Sequence, residues 1–312
     1  MNHKKNNPTP VILDTDIGDD IDDTWALVML LRCPELDVKL ITTTSNYPAN
    51  RARHVAKILM LAGRTDIPIG VGASIPGQEP SEDATIIYPW VKDVQLADYP
   101  GKVFADGPQA VIDTIHTSAD PVTVIAIGPL STLGEVIRRD PTVVQNSRFV
   151  GMHGSVHVGY NGSYPPGSET NVRLFNEDCR RVFESGWDLT ITPVDTCGLV
   201  KFTGEDYQQI RRSTDPLIRE LMKANVVFSE HVPWMDYDAT TGSTTLFDTV
   251  AVYLAYSEEL LEFETLPIRI EEGGFTRIDE RAGHPVRCAI RWKDLDAFKQ
   301  HLISRLLNRD CV

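Results

Sequence analysis

The chain has 312 residues, 42% hydrophobic and 24% charged, with a formal net charge of −14. These are the proportions of a soluble globular protein with enough chain for a large core, and the acidity excludes the basic footprint that a nucleic-acid partner needs. Five scattered cysteines (Cys33, Cys179, Cys197, Cys288, Cys311) form no CxxC pair, which argues against a zinc ribbon or disulfide framework and for a reducing, cytoplasmic setting. No apolar run reaches membrane-spanning length.

Residues 1–10 are polar, with Lys4 and Lys5 but no apolar stretch of a signal peptide, and read as a disordered lead-in. Residues 11–14 read as a strand. From Asp14 to Asp23 six residues of ten are aspartates, with Gly18 in the middle. An apolar helical pattern follows through Trp25, Ala26, Leu27, Leu30 and Leu31. The spacing predicts a strand, a tight acidic turn and a helix over 22–32, stopped before Pro34. A second strand over 38–44 ends in the polar cluster Thr42 to Asn46. A helix over 49–62 stops at Gly63, and 67–71 is a short third strand. Residues 72–104 read as one long irregular loop.

A helix over 106–117 and a buried strand over 122–127 come next. Gly128-Pro129-Leu130-Ser131-Thr132 opens another helix. After a strand over 148–152, a second long loop (154–170) closes with Glu169, Thr170 and Asn171. A helix over 176–186 and a strand over 189–194 follow, then a helical stretch over 204–232 with a break near 213–216. The loop over 233–245 carries Trp234, Asp236, Tyr237 and Asp238. Phe247-Asp248 leads into a helix over 250–256. Strands over 261–270, 275–278 and 286–292 and a helix over 294–307 end the chain. Alternating strands and helices through the first 200 residues predict an α/β fold: an open, mostly parallel central sheet flanked by helices, one domain over 11–312, with C-terminal strands and a helix.

The acidic turn is where chemistry concentrates. An acidic run is often a solvated face, and Asp22 and Asp23 suit a helix first turn. But Asp14 and Asp16 leave an apolar strand directly, at the edge of a parallel sheet where ligands bind. Crowded carboxylates are tolerable around a hard cation such as Ca²⁺ or Mg²⁺. An EF-hand starting at Asp14 fails, because Trp25 stands where its bidentate glutamate belongs. There is no GxSxG, Walker A or HExxH motif. Carboxylates, amides and a glutamate after several strands suit a polyol such as ribose bound at a divalent ion.

These residues resemble the nucleoside hydrolase family, of the inosine–uridine-preferring type. The resemblance rests on Asp14-x-Asp16-x-Gly18 with Asp22-Asp23, on Thr43 to Asn46 before an Arg-rich helix, and on Ile127 to Thr132. Ser168-Glu169-Thr170-Asn171 and Leu246-Phe247-Asp248 complete it. It implies a nucleoside hydrolase-like domain that cleaves the N-glycosidic bond of a small ribonucleoside or related N-riboside. Calcium would be held by Asp16, Asp23, Asp248 and the Ile127 carbonyl, with Asp16 also the catalytic base toward water. It places Asp22 and Asn46 on the ribose 2′ side, Asn171 on the 3′ side and Glu169 on the 5′ hydroxyl, with Asn161 as partner of Glu169. Asp14 would orient the loop, and a homodimer or homotetramer is implied.

The chain departs from the family pattern in three places. Ile17 replaces the usual proline, the step to Asp22-Asp23 is two residues longer, and Phe247 stands where relatives acting on inosine and uridine carry histidine. Phenylalanine donates no proton, so His153, His157 and Trp234 join Phe247 as base-side candidates, with Trp90 and Tyr237 as further stacking surfaces. Two other readings stay open. One is a calcium-dependent sugar or nucleoside binder without turnover. The other is a haloacid dehalogenase-like, Mg²⁺-dependent phosphatase with Asp14 as nucleophile.

Overall fold

A computed structural model of the chain describes residues 7–73, 77–79 and 81–309. Ten strands form one sheet in the order β4-β3-β2-β1-β5-β6-β7-β10-β8-β9. They are β1 Thr9–Thr15, β2 Leu36–Thr43, β3 Ile69–Gly70, β4 Val103–Phe104, β5 Val122–Ala126, β6 Ser147–Met152, β7 Leu189–Thr192, β8 Leu261–Glu271, β9 Phe275–Ile278 and β10 His284–Trp292. Every pairing from β4 across to β10 is parallel; β8 runs antiparallel to both β10 and β9. The expected mostly parallel sheet, flanked by helices in one domain, is therefore what forms.

The helices are α1 Asp22–Leu30, α2 Pro48–Leu61, α3 Tyr88–Val91, α4 Gly107–Thr117, α5 Ser131–Arg139, α6 Thr170–Arg173, α7 Asn176–Phe183, α8 Val194–Cys197, α9 Gly204–Arg211, α10 Pro216–His231, α11 Thr249–Leu254 and α12 Leu295–Leu306. They cover both sheet faces, so the central strands are apolar on both sides. On β1, Val11 and Leu13 join one core with α1, α2, α10 and α11, while Ile12 joins the other with α4, α5 and α7. Helices α1 and α11 are buried along their whole length and pack together. Among the described residues no helix is long and apolar enough to cross a membrane. Cys33, Cys179, Cys197 and Cys288 are buried, and Cys311 lies outside the described residues.

Some boundaries differ from expectation. β1 begins at Thr9, so Thr9 and Pro10 belong to a strand and not to a lead-in; residues 1–6 lie outside the described residues. The stretch over 72–104 holds α3 and β4, two short pieces whose apolar pattern is too brief to read. The helical stretch over 204–232 splits into α9 and α10. Asp215 accepts the Leu217 and Ile218 N–H groups there, and Pro216 takes the first helical turn. The end of the strand predicted over 189–194 turns into α8.

The order 4-3-2-1 reverses to 1-5-6-7 at β1, which makes the gap beyond β1 and β5 the topological switch point. Asp14 pairs in register with Thr42 on one side and Ala126 on the other. Asp16, Asn46 and Ile127 thus emerge from the carboxyl ends of neighbouring strands. At the far edge, the β8–β9 hairpin turns through Gly273 and Gly274, whose φ values are +80° and +87°. A side chain at 274 would start 2.4 Å from the Arg173 Cβ, so glycine is required there.

Candidate active site

A cavity of about 340 Å³ opens at the switch point. Asp16, Asp19, Asp20, Asp22, Asp23, Asp248, Ser45 and Asn46 line one wall; Met152, Tyr160, Glu169, Thr170, Asn171, Leu174 and Phe247 line the other, with Ile127 between them. Asp22 and Asp23 are the first residues of α1, and Asp248 immediately precedes α11. Because α1 and α11 pack side by side, residues 225 apart in sequence meet: one carboxylate oxygen from each of Asp22, Asp23 and Asp248 lies within 4.8 Å of the others. All three are almost fully buried. Burial raises each carboxyl well above the ordinary range, and the neighbouring aspartates add to it. Among the described residues no ion pair reaches any of the three.

The acidic turn is held by groups outside it. Gly18 has φ +125°, and its carbonyl accepts the Ile87 N–H at 3.0 Å. Arg51 of α2 is 2% exposed and closes on the turn from beneath. It donates to the carbonyls of Asp16, Ile17 (3.3 Å) and Asn46 (2.6 Å) and to the Asp19 carboxylate. Thr15 donates its hydroxyl to Asp23 and accepts the Ile17 N–H at 3.1 Å. Burial pushes Asp16 up to about 7 and Asp20 up to about 6; Arg51 opposes the first shift, and the Ile21 N–H the second. Asn46 is presented by Ser45 and Tyr47, both left-handed at φ 68° and 56°. Such backbone costs energy and marks a position where direction matters.

On the opposite wall, Glu169 caps α6. Its Oε1 accepts the Asn171 N–H at 2.8 Å and the Tyr160 hydroxyl at 3.1 Å; its Oε2 accepts the N–H groups of Gly154 and Val172, both at 3.0 Å. The Glu169 N–H donates to the Gly274 carbonyl at 3.0 Å, and the Ser168 hydroxyl to the Gly273 carbonyl at 2.6 Å, so the β8–β9 turn clamps this loop. Asn171 donates its amide to the carbonyls of Ile127 (3.2 Å) and Met152 (3.1 Å). Tyr160 meets Phe247 edge to face, ring centroids 5.7 Å apart.

Of the residues singled out from sequence, Asp16, Asp22, Asp23, Asn46, Ile127, Glu169, Asn171, Phe247 and Asp248 line this one cavity. The tightest trio contains Asp22 rather than Asp16, which stands beside it. The others fall elsewhere. Asn161 is exposed, in a loop at φ 56°, and Tyr160 bonds Glu169 in its stead. His153 is fully buried between Phe149 and Phe183. It donates Nε2–H to the Gly128 carbonyl at 3.2 Å, and burial lowers it to about 3, so it stays neutral and away from the lining. Trp234 is 71% exposed and outside the lining. His157 and Tyr237 lie outside it too, and Lys57 covers the Trp90 ring at 4.3 Å. Asp14 is fully buried, accepts the Thr42 hydroxyl at 2.7 Å, and is pushed up to about 8 by burial. An acid sealed inside β1 and absent from the cavity lining meets no substrate there, which argues against the phosphatase reading with Asp14 as nucleophile. Arg51, Thr15 and Tyr160 are the residues that sequence reasoning missed; only the Arg-rich opening of α2 signalled one of them.

The fold is that of the nucleoside hydrolases. A plant nucleoside hydrolase superposes with a TM-score of 0.79 at 22% identity, covering 96% of this chain and 99% of that one. A purine-preferring ribonucleoside hydrolase from Gardnerella vaginalis gives 0.78 at 20%, covering 96% and 98%. The family model described as inosine-uridine preferring nucleoside hydrolase matches residues 11–300, and the chain belongs to that family. Its relatives include the non-specific ribonucleoside hydrolase RihC of Klebsiella pneumoniae subsp. pneumoniae, 32% identical over 191 residues. That match spans 60% of this chain and 61% of the relative, so the chain covers about three fifths of RihC's length. The pyrimidine-specific ribonucleoside hydrolase RihA of Citrobacter koseri is 28% identical over 247 residues, 72% and 73% of the two chains. Family membership places the chain in the class of enzymes that cleave N-glycosidic bonds.

Proposed function

We propose that the chain is a calcium-dependent hydrolase that cleaves a ribonucleoside or related N-riboside to ribose and free base. The observation that carries this reading is the buried trio Asp22, Asp23 and Asp248, three carboxylates in mutual reach and, among the described residues, in no ion pair. The donor set fits a hard divalent ion: it is all oxygen, without sulfur or imidazole. Asp22, Asp23 and Asp248 would hold the ion, with Asp16 and the Ile127 carbonyl completing its shell. Bound there, it would hold the furanose diol and acidify a water molecule.

The chain's own groups supply the rest. Asp16 lines the cavity beside the trio and takes the proton from the attacking water. Asn46 and Asn171 face the cavity from opposite walls and orient the sugar hydroxyls. Cleavage builds positive charge on the ribose, and the aspartate wall stabilises it. Among the described residues the lining carries no histidine. The reaction therefore selects bases that leave with little help, either already cationic or stable as anions. The dimer or tetramer belongs to the same reading and is measured by light scattering.

The test is ribose release from a nucleoside panel with calcium, with magnesium and after chelation. Calcium-dependent release supports the reading. Calcium-dependent ribose binding without release from any nucleoside would leave the binder instead, the outcome to which Phe247 points.

A further inference from the structure

We propose that Tyr160 is a specificity-determining residue that selects N-ribosides lacking a 5′ hydroxyl, either 5′-deoxy or with an apolar 5′ substituent such as an alkylthio group. The inference rests on the ribosyl hydrolase reading and names its substrate class. A ribofuranoside held by its 2′,3′-diol at Asp22, Asp23 and Asp248 has two other substituents, the base at C1′ and the C5′ group at C4′. Among the described residues, Glu169 is the one lining carboxylate outside the 16–23 turn and Asp248. A sugar hydroxyl beyond the diol would turn to it as an acceptor.

Glu169 has nothing left to offer. An ionised carboxylate presents about four lone-pair sites. Here four donors occupy them: the N–H groups of Gly154, Asn171 and Val172, and the Tyr160 hydroxyl. Three of those donors are backbone, so Tyr160 alone decides whether a site is open. Its own proton is spent on Glu169, and its oxygen accepts the Thr170 N–H at 3.3 Å. Beside this filled carboxylate stand the rings of Tyr160 and Phe247 in edge-to-face contact, with Met152 and Leu174, and the one further hydroxyl there, that of Thr170, lies 3.5 Å from the Tyr160 hydroxyl. A hydroxyl driven against these rings gives up its water and finds no open acceptor site on Glu169. An apolar pocket of this kind discriminates against an added hydroxyl by roughly tenfold to a hundredfold.

The experiment compares matched pairs (adenosine with 5′-deoxyadenosine, inosine with 5′-deoxyinosine, uridine with 5′-deoxyuridine) in the wild type and in Tyr160→Phe. The variant keeps the ring against Phe247 and frees one acceptor site on Glu169. In the wild type kcat/KM should favour the deoxy member by roughly tenfold or more, and in Tyr160→Phe that ratio should fall by about tenfold. A purely structural tyrosine would slow both members alike and leave the ratio where it was, which overturns the proposal, as does a wild type that prefers the hydroxylated member. If no pair is hydrolysed, the hydrolase reading fails separately. Calcium-dependent binding of methyl β-D-ribofuranoside and its 5-deoxy analogue, both locked as furanoses and followed by calorimetry, then decides: tighter binding of the 5-deoxy analogue supports the proposal, and equal or weaker binding defeats it.

Discussion

Two sets of buried acid face the same cavity, and the protein treats them in opposite ways. Glu169 is 1% exposed and receives four hydrogen bonds, three of them from backbone. Asp22, Asp23 and Asp248 are as deeply buried, yet they stand against one another with a threonine hydroxyl on Asp23, backbone N–H groups at Asp22 and, among the described residues, no ion pair. A buried charge without compensation is costly, and a chain that wanted only stability would not assemble three. The contrast separates a carboxylate that the fold has completed from carboxylates left for a partner of opposite charge. The first builds the wall; the second is where the family's chemistry is expected.

Substitutions at each side should break or sharpen that contrast. Asp16→Asn removes the proposed base while keeping its shape. Turnover should fall by about 10³-fold, near 4 kcal/mol of barrier, with the circular dichroism spectrum unchanged. Arg51→Ala takes away the guanidinium under the acidic turn. It leaves three carbonyls and Asp19 unserved, and should cost about 3 kcal/mol in denaturant unfolding. Calcium at a hundredfold excess over its dissociation constant should restore about 2.7 kcal/mol to the wild type, read as a rise in Tm.

The pH dependence has a definite sign. Asp14, Asp16 and Asp20 are raised by burial to about 8, 7 and 6. The folded chain therefore holds these protons more tightly than the unfolded one. Their contribution favours folding below the ordinary carboxylate value and is lost as pH rises through about 6 to 8. The calcium-free protein should melt lower at about pH 8 than at about pH 5, and calcium should narrow that gap. A flat or reversed difference would mean the acidic wall is compensated from within.

On the completed side the effects should be smaller. Glu169→Gln turns one acceptor into a donor facing a donor and should cost about 2 kcal/mol of stability. Trp234→Ala, on an exposed side chain away from the lining, should change stability by less than about 0.5 kcal/mol and leave kcat/KM alone. A large loss there would return Trp234 to the base side.

The acidic wall was legible because its signal is local: six aspartates in ten residues after an apolar strand mark the edge of a sheet and an acidic cluster that could bind a cation. Asp248 was legible only through resemblance, since nothing in residues 245–250 states which helix its own will touch. The supporting groups were not legible. Arg51 acts on carbonyls 34 and 35 residues away, and backbone carbonyls leave no mark in a sequence. Tyr160 and Asn161 are neighbours, and which of them reaches Glu169 is decided by a left-handed bend at Asn161 that turns the amide outward. His153 was a candidate only, since a histidine after a strand can be catalytic or structural, and the two phenylalanines packed on it show the structural role.

The glycine turn at the sheet's far edge gives the molecule a remote handle on selectivity. It grips the loop of Glu169 from a segment a hundred residues downstream that lines no part of the cavity. Lengthening that hairpin, or replacing Gly274, would shift the capping glutamate and with it the fit of the sugar's far carbon. Substrate choice in such a protein can drift through changes at its periphery while every residue that touches the substrate stays the same.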